Sequence, residues 1–311
     1  MYQFVILNNK IAAFYENLTY PAFRSRLKAI DNDESIVALG VHLGSQAVGL
    51  VLVEISTDKN HKNATILSCF VVPEHRGRGL GKTLLTYIED ELHQLDCSQV
   101  NVVYISNATT TFWEKILKQC NWSTPQLRML VCSGSIINIK DAVWLRLAHI
   151  LPPGYTIFPW VELTKQERDL IEKQQATSTW YPEILSPWSE AEIIESVNSL
   201  GLRYEDQVVG WMVTHRVTTD TVRYTKLFVR EDLQRLGRAI SLLAKAIQLQ
   251  LETMEDTKAV FTVFANNTLM VKFVERRLAP YLTSIRQSWG ASKEFNLNKG
   301  SDKYIVKLEV Q

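Results

Sequence analysis

The chain has 311 residues, 46% of them apolar and 22% charged, with 13 Gly and 9 Pro, a globular composition that excludes disordered and fibrous classes. Its 34 Lys and Arg against 33 Asp and Glu leave a net charge of +1. Neither nucleic acid nor an acidic membrane is therefore an expected partner, any basic site must be local, and the length suits two domains of ordinary size. The opening MYQFVILNNK has no basic leader, and no uncharged run reaches about 18 residues, so a soluble cytoplasmic protein without a membrane span is expected. Residues 2–7 read as a strand. Apolar residues at helical spacing over 11–30, broken at Pro21, predict two short helices joined near Tyr20. Residues 35–43 and 47–55 read as strands of a hairpin turning at Gly44-Ser45. The run 64–72 is a further strand, stopped by Pro73, which cannot donate to a ladder. Beyond PEHRGRGLG, Leu85, Ile88, Leu92 and Leu95 place one apolar stripe on an amphipathic helix from Lys82. Residues 99–105 predict a buried strand, 109–118 a helix, and 127–132 a strand that closes the sheet. The four cysteines, Cys69, Cys97, Cys120 and Cys132, stand far apart with no CxxC; they predict reduced core residues, with no metal site and no disulfide framework.

The strand, glycine loop and helix at 64–95 carry the chemistry. Gly77, Gly79 and Gly81 remove side chains where several amide N–H groups must turn toward one point, and the helix N-terminus adds the positive end of its dipole. Arg76, Arg78 and Lys82 bring cations to the same place, so a pyrophosphate is the expected ligand. Gly81-Lys82-Thr83 ends like a Walker A loop, but Arg76 stands where that motif needs its first glycine. GxGxG at 77–81 also departs from the Rossmann GxGxxG.

What fits is R-x-x-G-x-G, carried by Arg76, Gly79 and Gly81. This resembles the acyl-CoA signature of the GCN5-related N-acetyltransferases, the GNAT superfamily, whose element order also matches the first half of the chain. The resemblance implies an acetyl-CoA or longer acyl-CoA donor, its pantetheine along Phe70, Val71 and Val72. Its phosphates would rest on Arg76, Gly77, Arg78, Gly79, Leu80, Gly81, Lys82 and Thr83, with Asn107 at the head of the next helix.

After Pro152-Pro153-Gly154 the pattern begins again. Gln46-Ala47-Val48-Gly49-Leu50 returns as Gln207-Val208-Val209-Gly210-Trp211, 161 residues on, and Phe70-Val71 as Phe228-Val229, 158 residues on. Gln234, Gly237 and Ala239 satisfy the looser signature, again 158 residues on, and Ile240, Leu243, Ile247 and Met254 supply the helix stripe. The chain thus resembles a tandem GNAT protein of α/β (α+β) class: two folds, each a mixed, mainly antiparallel twisted sheet flanked by helices. The expected boundaries are 1–135, a linker at 136–153, and 154–311. In the second loop Arg235 and Arg238 keep cations, Leu236 replaces one, and Glu231 and Asp232 oppose an anion, so the loop reads either as a second donor cradle with Phe228 and Val229 or as a retired one.

The resemblance implies direct attack of a neutral amine on a thioester, which needs a base. Five residues beyond the repeated glycine stand Glu54 in one half and His215 in the other, the two candidates. The family's thiolate-protonating Tyr is replaced by Trp113 and, near the equivalent place, by Phe273; Tyr104 is a substitute by proximity in sequence. A thiol of pKa near ~8.5 still leaves tolerably as the anion, so an enzyme is retained. Residues 180–188, with two Trp, a Tyr and two Pro, read as a lid over core or as an apolar acceptor wall. The expected function is acyl transfer to a primary amine of a small molecule or peptide. One alternative is a maturase placing fatty acyl groups on Lys or ornithine side chains of a ribosomal peptide, and another is a non-catalytic acyl-CoA-binding sensor or scaffold. Oligomeric state is open.

Overall fold

The computed structural model describes residues 1–58, 61–234 and 237–295. In chain order the elements are β1 (Tyr2–Ile6), α1 (Asn9–Ala12), α2 (Arg24–Lys28), β2 (Ile36–Leu43), β3 (Gln46–Asp58), β4 (His61–Val71), α3 (Leu80–Gln94), β5 (Cys97–Ile105), α4 (Thr110–Gln119) and β6 (Gln126–Ser135). There follow β7 (Tyr155–Pro159), α5 (Lys165–Thr177), β8 (Leu200–Tyr204), β9 (Gln207–Thr218), β10 (Thr221–Val229), α6 (Arg238–Thr253), β11 (Lys258–Phe264), α7 (Thr268–Phe273) and β12 (Ser284–Glu294). They form two units. One is Met1–Arg128 together with the chain from Ser288 onward, and the other is Met129–Gln287.

In the first unit the strand order is β1-β2-β3-β4-β5-β12, antiparallel except for the β4–β5 pair. β3 is apolar on both sides because both of its faces are covered. Val51 and Val53 pack with Leu84, Leu85 and Ile88 of α3 and Leu117 of α4, while Leu50 and Leu52 pack with Tyr15 and Leu27. α3 starts at Gly79, whose φ of +80° is a conformation that side chains rarely adopt.

In the second unit the order is β6-β11-β10-β9-β8-β7, with β10–β11 parallel and the other described pairs antiparallel. Its core joins Leu242, Ala246 and Ile247 of α6 to Val209 and Met212 of β9. On the opposite face an aromatic cluster forms around Trp211, whose ring lies 4.6 Å from that of Phe228 and 5.1 Å from that of Tyr181. The loop 180–188 covers this cluster, as a lid over core does.

The division differs from the expected boundaries in two ways, each with a physical cause. Residues 136–153 are not a linker: Ile136, Ile139, Trp144, Leu145 and Ala148 are buried in the second core, and Gln248 of α6 donates to the Leu145 carbonyl. The expected closing strand of the first sheet does not close it. β6 pairs with β11 from Met129↔Phe264 to Ser135↔Lys258, and the place beside β5 is taken by β12, from Ser288↔Ile105 to Glu294↔Gln99. The apolar alternation of 127–132 signals a strand but not its partner.

Candidate functional site

In the first unit β4 and β5 pair in parallel only as far as Ile66↔Val102. Leu67 is then bulged out of register against β3, and the rest of β4 runs on without β5. Val72 N–H donates to the Val48 carbonyl at 2.9 Å. By the alternation of an antiparallel ladder, the N–H groups of Cys69 and Val71 face the open side. Arg76 Nε closes the loop by donating to the Val71 carbonyl at 2.9 Å, and its guanidinium lies 5.4 Å from the Phe70 ring centre. Gly77 and Gly79 have φ of +77° and +80°, and a Cβ at either would meet no atom within 4 Å, so the space before them is open. The first i to i−4 bond of α3 runs from Thr83 N–H to Gly79 O, which leaves the N–H groups of Leu80, Gly81 and Lys82 outside the helical ladder. Arg78 reaches Tyr2 Oη at 3.1 Å, and Tyr2 in turn bonds His75 Nδ1 at 2.9 Å. The cradle is therefore backbone, with Arg78 and Lys82 exposed at its rim. These residues fit a pyrophosphate-bearing thioester.

Among the described residues the second unit repeats this geometry. β10 and β11 pair only from Thr221↔Lys258 to Tyr224↔Phe261, the bulge falls at Thr225, and Gly237 caps α6 with φ of +77°. Gln234 Nε2 donates to the Val229 carbonyl at 2.9 Å, as Arg76 does to that of Val71. Ala239 is partly buried against the α6 core. The electrostatics differ. Arg230 is held by Asp232 at 2.7 Å, and Arg238 donates to the Leu233 carbonyl at 3.1 Å while lying 4.4 Å over the Tyr155 ring. Arg235 and Leu236 lie outside the described residues.

Glu54 sits on the α2 side of β3, 2.9 Å from the Arg26 guanidinium and half-exposed. His215, its counterpart, is 0% exposed. Its Nε2 faces the Ser189 carbonyl at 3.2 Å, which can only accept, so that nitrogen carries the proton. Nδ1 then accepts from the Thr225 hydroxyl at 2.7 Å, and burial holds the imidazole below its ordinary pKa. Tyr104 Oη donates to Glu114 at 2.9 Å, and burial together with that carboxylate keeps the phenol protonated. Trp113 packs against the α3 core. Asn107 Oδ1 accepts from the Thr109 N–H and hydroxyl, so its side chain is committed to the turn before α4. Burial pushes the Cys69 thiol up to about 12, which disables it as a nucleophile beside the open edge. Arg26, Leu67 and Thr225 escape the sequence reading. Only the two bulges had a signal there, since they stand 158 residues apart like the rest of the repeat.

Residues 6–117 match the family model described as the Acetyltransferase (GNAT) family. No curated protein matches the chain in sequence. Among solved structures it is similar to a GCN5-related glucosamine N-acetyltransferase region of a fungal multi-domain GH3 beta-N-acetylglucosaminidase, with a TM-score of 0.62 and 14% identity over 94% of this chain. It spans 38% of that fungal protein's length. A tandem GNAT protein from the clavulanic acid biosynthesis pathway also scores 0.62, at 11% identity over 97% of this chain and 100% of that one. A GCN5-related N-acetyltransferase from Sphaerobacter thermophilus scores 0.58, at 16% identity over 97% and 98%. These likenesses show a shared fold, and all three run through both units.

Proposed function

We propose, from the premise that this chain belongs to the GNAT superfamily, that it is an acyl-CoA-dependent N-acyltransferase acting on a primary amine of a small molecule or peptide, with the first unit as its donor site. The observation that supports this most is the parting of β4 from β5 beside a loop of first-turn N–H groups, inside the stretch that the family model matches. Such an edge offers N–H donors to a pantetheine arm and to a thioester oxygen, and the loop offers them to a pyrophosphate. The donor supplies an activated acyl carbonyl and a thiol leaving group. Phe70, Val71 and Val72 flank the arm, and residues 76–83 hold the phosphates. Glu54 takes the ammonium proton, directly or through one water, so that the neutral amine attacks. The Tyr104 hydroxyl, kept protonated, is the candidate donor for the departing thiolate in this reading.

Acetyl-CoA is the default donor. The test is thiol release with donors of several chain lengths against a panel of amines and peptides. Acceptor-dependent release that disappears in Gly79→Glu is the expected result; tight donor binding without release from any acceptor would make the protein a sensor or scaffold.

A further inference from the structure

The parting of β10 from β11 leaves a cavity of about 450 Å³ lined by Met212, Leu227, Leu243, Ile247, Phe261 and Val263 among others, with Thr225, Lys226 and Asn267 among its polar members. Small-molecule sites have this character: apolar walls with a few polar groups that orient the ligand. A nucleotide thioester would need more, because its phosphates must be met at the head of α6. There, among the described residues, Arg230 is paired with Asp232 and Arg238 donates to the Leu233 carbonyl and lies over the Tyr155 ring, with the Glu231 carboxylate in the same turn. Among the described residues, the second unit thus keeps the interior of a donor cleft beside a loop turn whose Glu231 and Asp232 carboxylates oppose phosphate.

We infer that this cleft binds an unbranched aliphatic chain with a carboxylate head, the head at Lys226 and the chain among the apolar walls. Lys226 Nζ is bound to a single carbonyl, that of Ile184 at 2.5 Å, and an ammonium has two further protons to donate. Ile184 and Leu185 line the cavity beside it, so that end is where a carboxylate would meet donors. Burial lowers the Lys226 pKa, and Glu190 and Glu183 oppose that effect while Arg223 adds to it, so the ammonium sits in a partly desolvated place where a carboxylate counts for more than in water. At a volume per methylene close to the ~30 Å³ of a liquid water, the cavity holds on the order of a dozen to fifteen carbons.

The test is calorimetry and thermal denaturation of the full chain carrying Gly79→Glu, which disables the first donor loop, with CoA, dodecanoyl-CoA, dodecanol and the fatty acids from C8 to C16 as probes. Affinity for the acids should rise about fourfold per methylene and level off near C12 to C14. Lys226→Met should weaken dodecanoate at least tenfold and leave dodecanol unchanged. Ala259→Trp, which fills the cavity from β11, should abolish both, with folding checked by circular dichroism. Should that variant not fold, the Lys226→Met pair of probes still decides. The inference is overturned if no acid of the series binds saturably, if Lys226→Met affects dodecanol and dodecanoate alike, or if free CoA binds this background as tightly as dodecanoate. Because each readout is binding, its failure leaves the thiol-release result of the first unit untouched.

Discussion

Gly79 shows how much one residue carries. A side chain there meets open space but is strained by the φ of +80°, so Gly79→Ala measures the strain alone and Gly79→Glu adds a charge to the cradle. Donor affinity in the glutamate variant should fall at least tenfold, about 1.4 kcal/mol, by calorimetry, and further than in the alanine variant. Equal losses would assign the effect to backbone. Glu54→Gln keeps the shape and removes the basicity; kcat/KM should drop by ~10²-fold with donor affinity unchanged, and a variant as active as the parent between pH 6 and 9 would remove Glu54 from the mechanism. His215 makes a different prediction. Burial holds its pKa in the folded chain below the ~6.5 of the unfolded chain, so as pH falls through that value the unfolded chain takes up a proton more readily than the folded one. Stability should therefore fall from pH 7.5 to 5.5 in urea melts, and His215→Gln should flatten that slope.

At the scale of elements, the repeat made most of the site legible. Glycine-rich punctuation located both strand-to-helix loops, and spacing alone put Glu54 and His215 at matching positions of β3 and β9, because such features are local in sequence. Side-chain direction was not legible. Nothing in Arg230 or Arg238 tells that each turns onto its own loop, and nothing in Asn107 tells that it braces α4, since those partners are chosen by tertiary geometry. Helix α5 is an element whose start can be tested: the Thr164 hydroxyl accepts from the Glu167 N–H, and the Glu167 carboxylate accepts from the Thr164 N–H and from Arg203 at 2.6 Å. Thr164→Ala should cost about 1 kcal/mol. The Arg203 guanidinium holds the Glu167 pKa down at about 2, so the stability it lends is complete above the unfolded value of ~4.3 and is lost as pH falls toward about 2. Acid melts of Arg203→Met should lack that component.

For the whole molecule, the duplicated plan was visible and the exchange of end strands was not, because a sheet edge is filled by whatever strand reaches it. β12 makes the first unit depend on residues far along the chain. A chain ending before Ser284 should leave β5 with an unpaired edge, lose donor binding in the first unit and aggregate, as seen by light scattering; full donor affinity in that truncation would contradict the assignment. Cutting at the Pro-Pro-Gly stretch should likewise fail to release two independent halves. The same strand also sets a schedule for biosynthesis. At about 5–20 residues per second, roughly 10–40 s separate the emergence of β5 from that of its partner, so the nascent first unit waits on the ribosome with an open edge while the other is still being made.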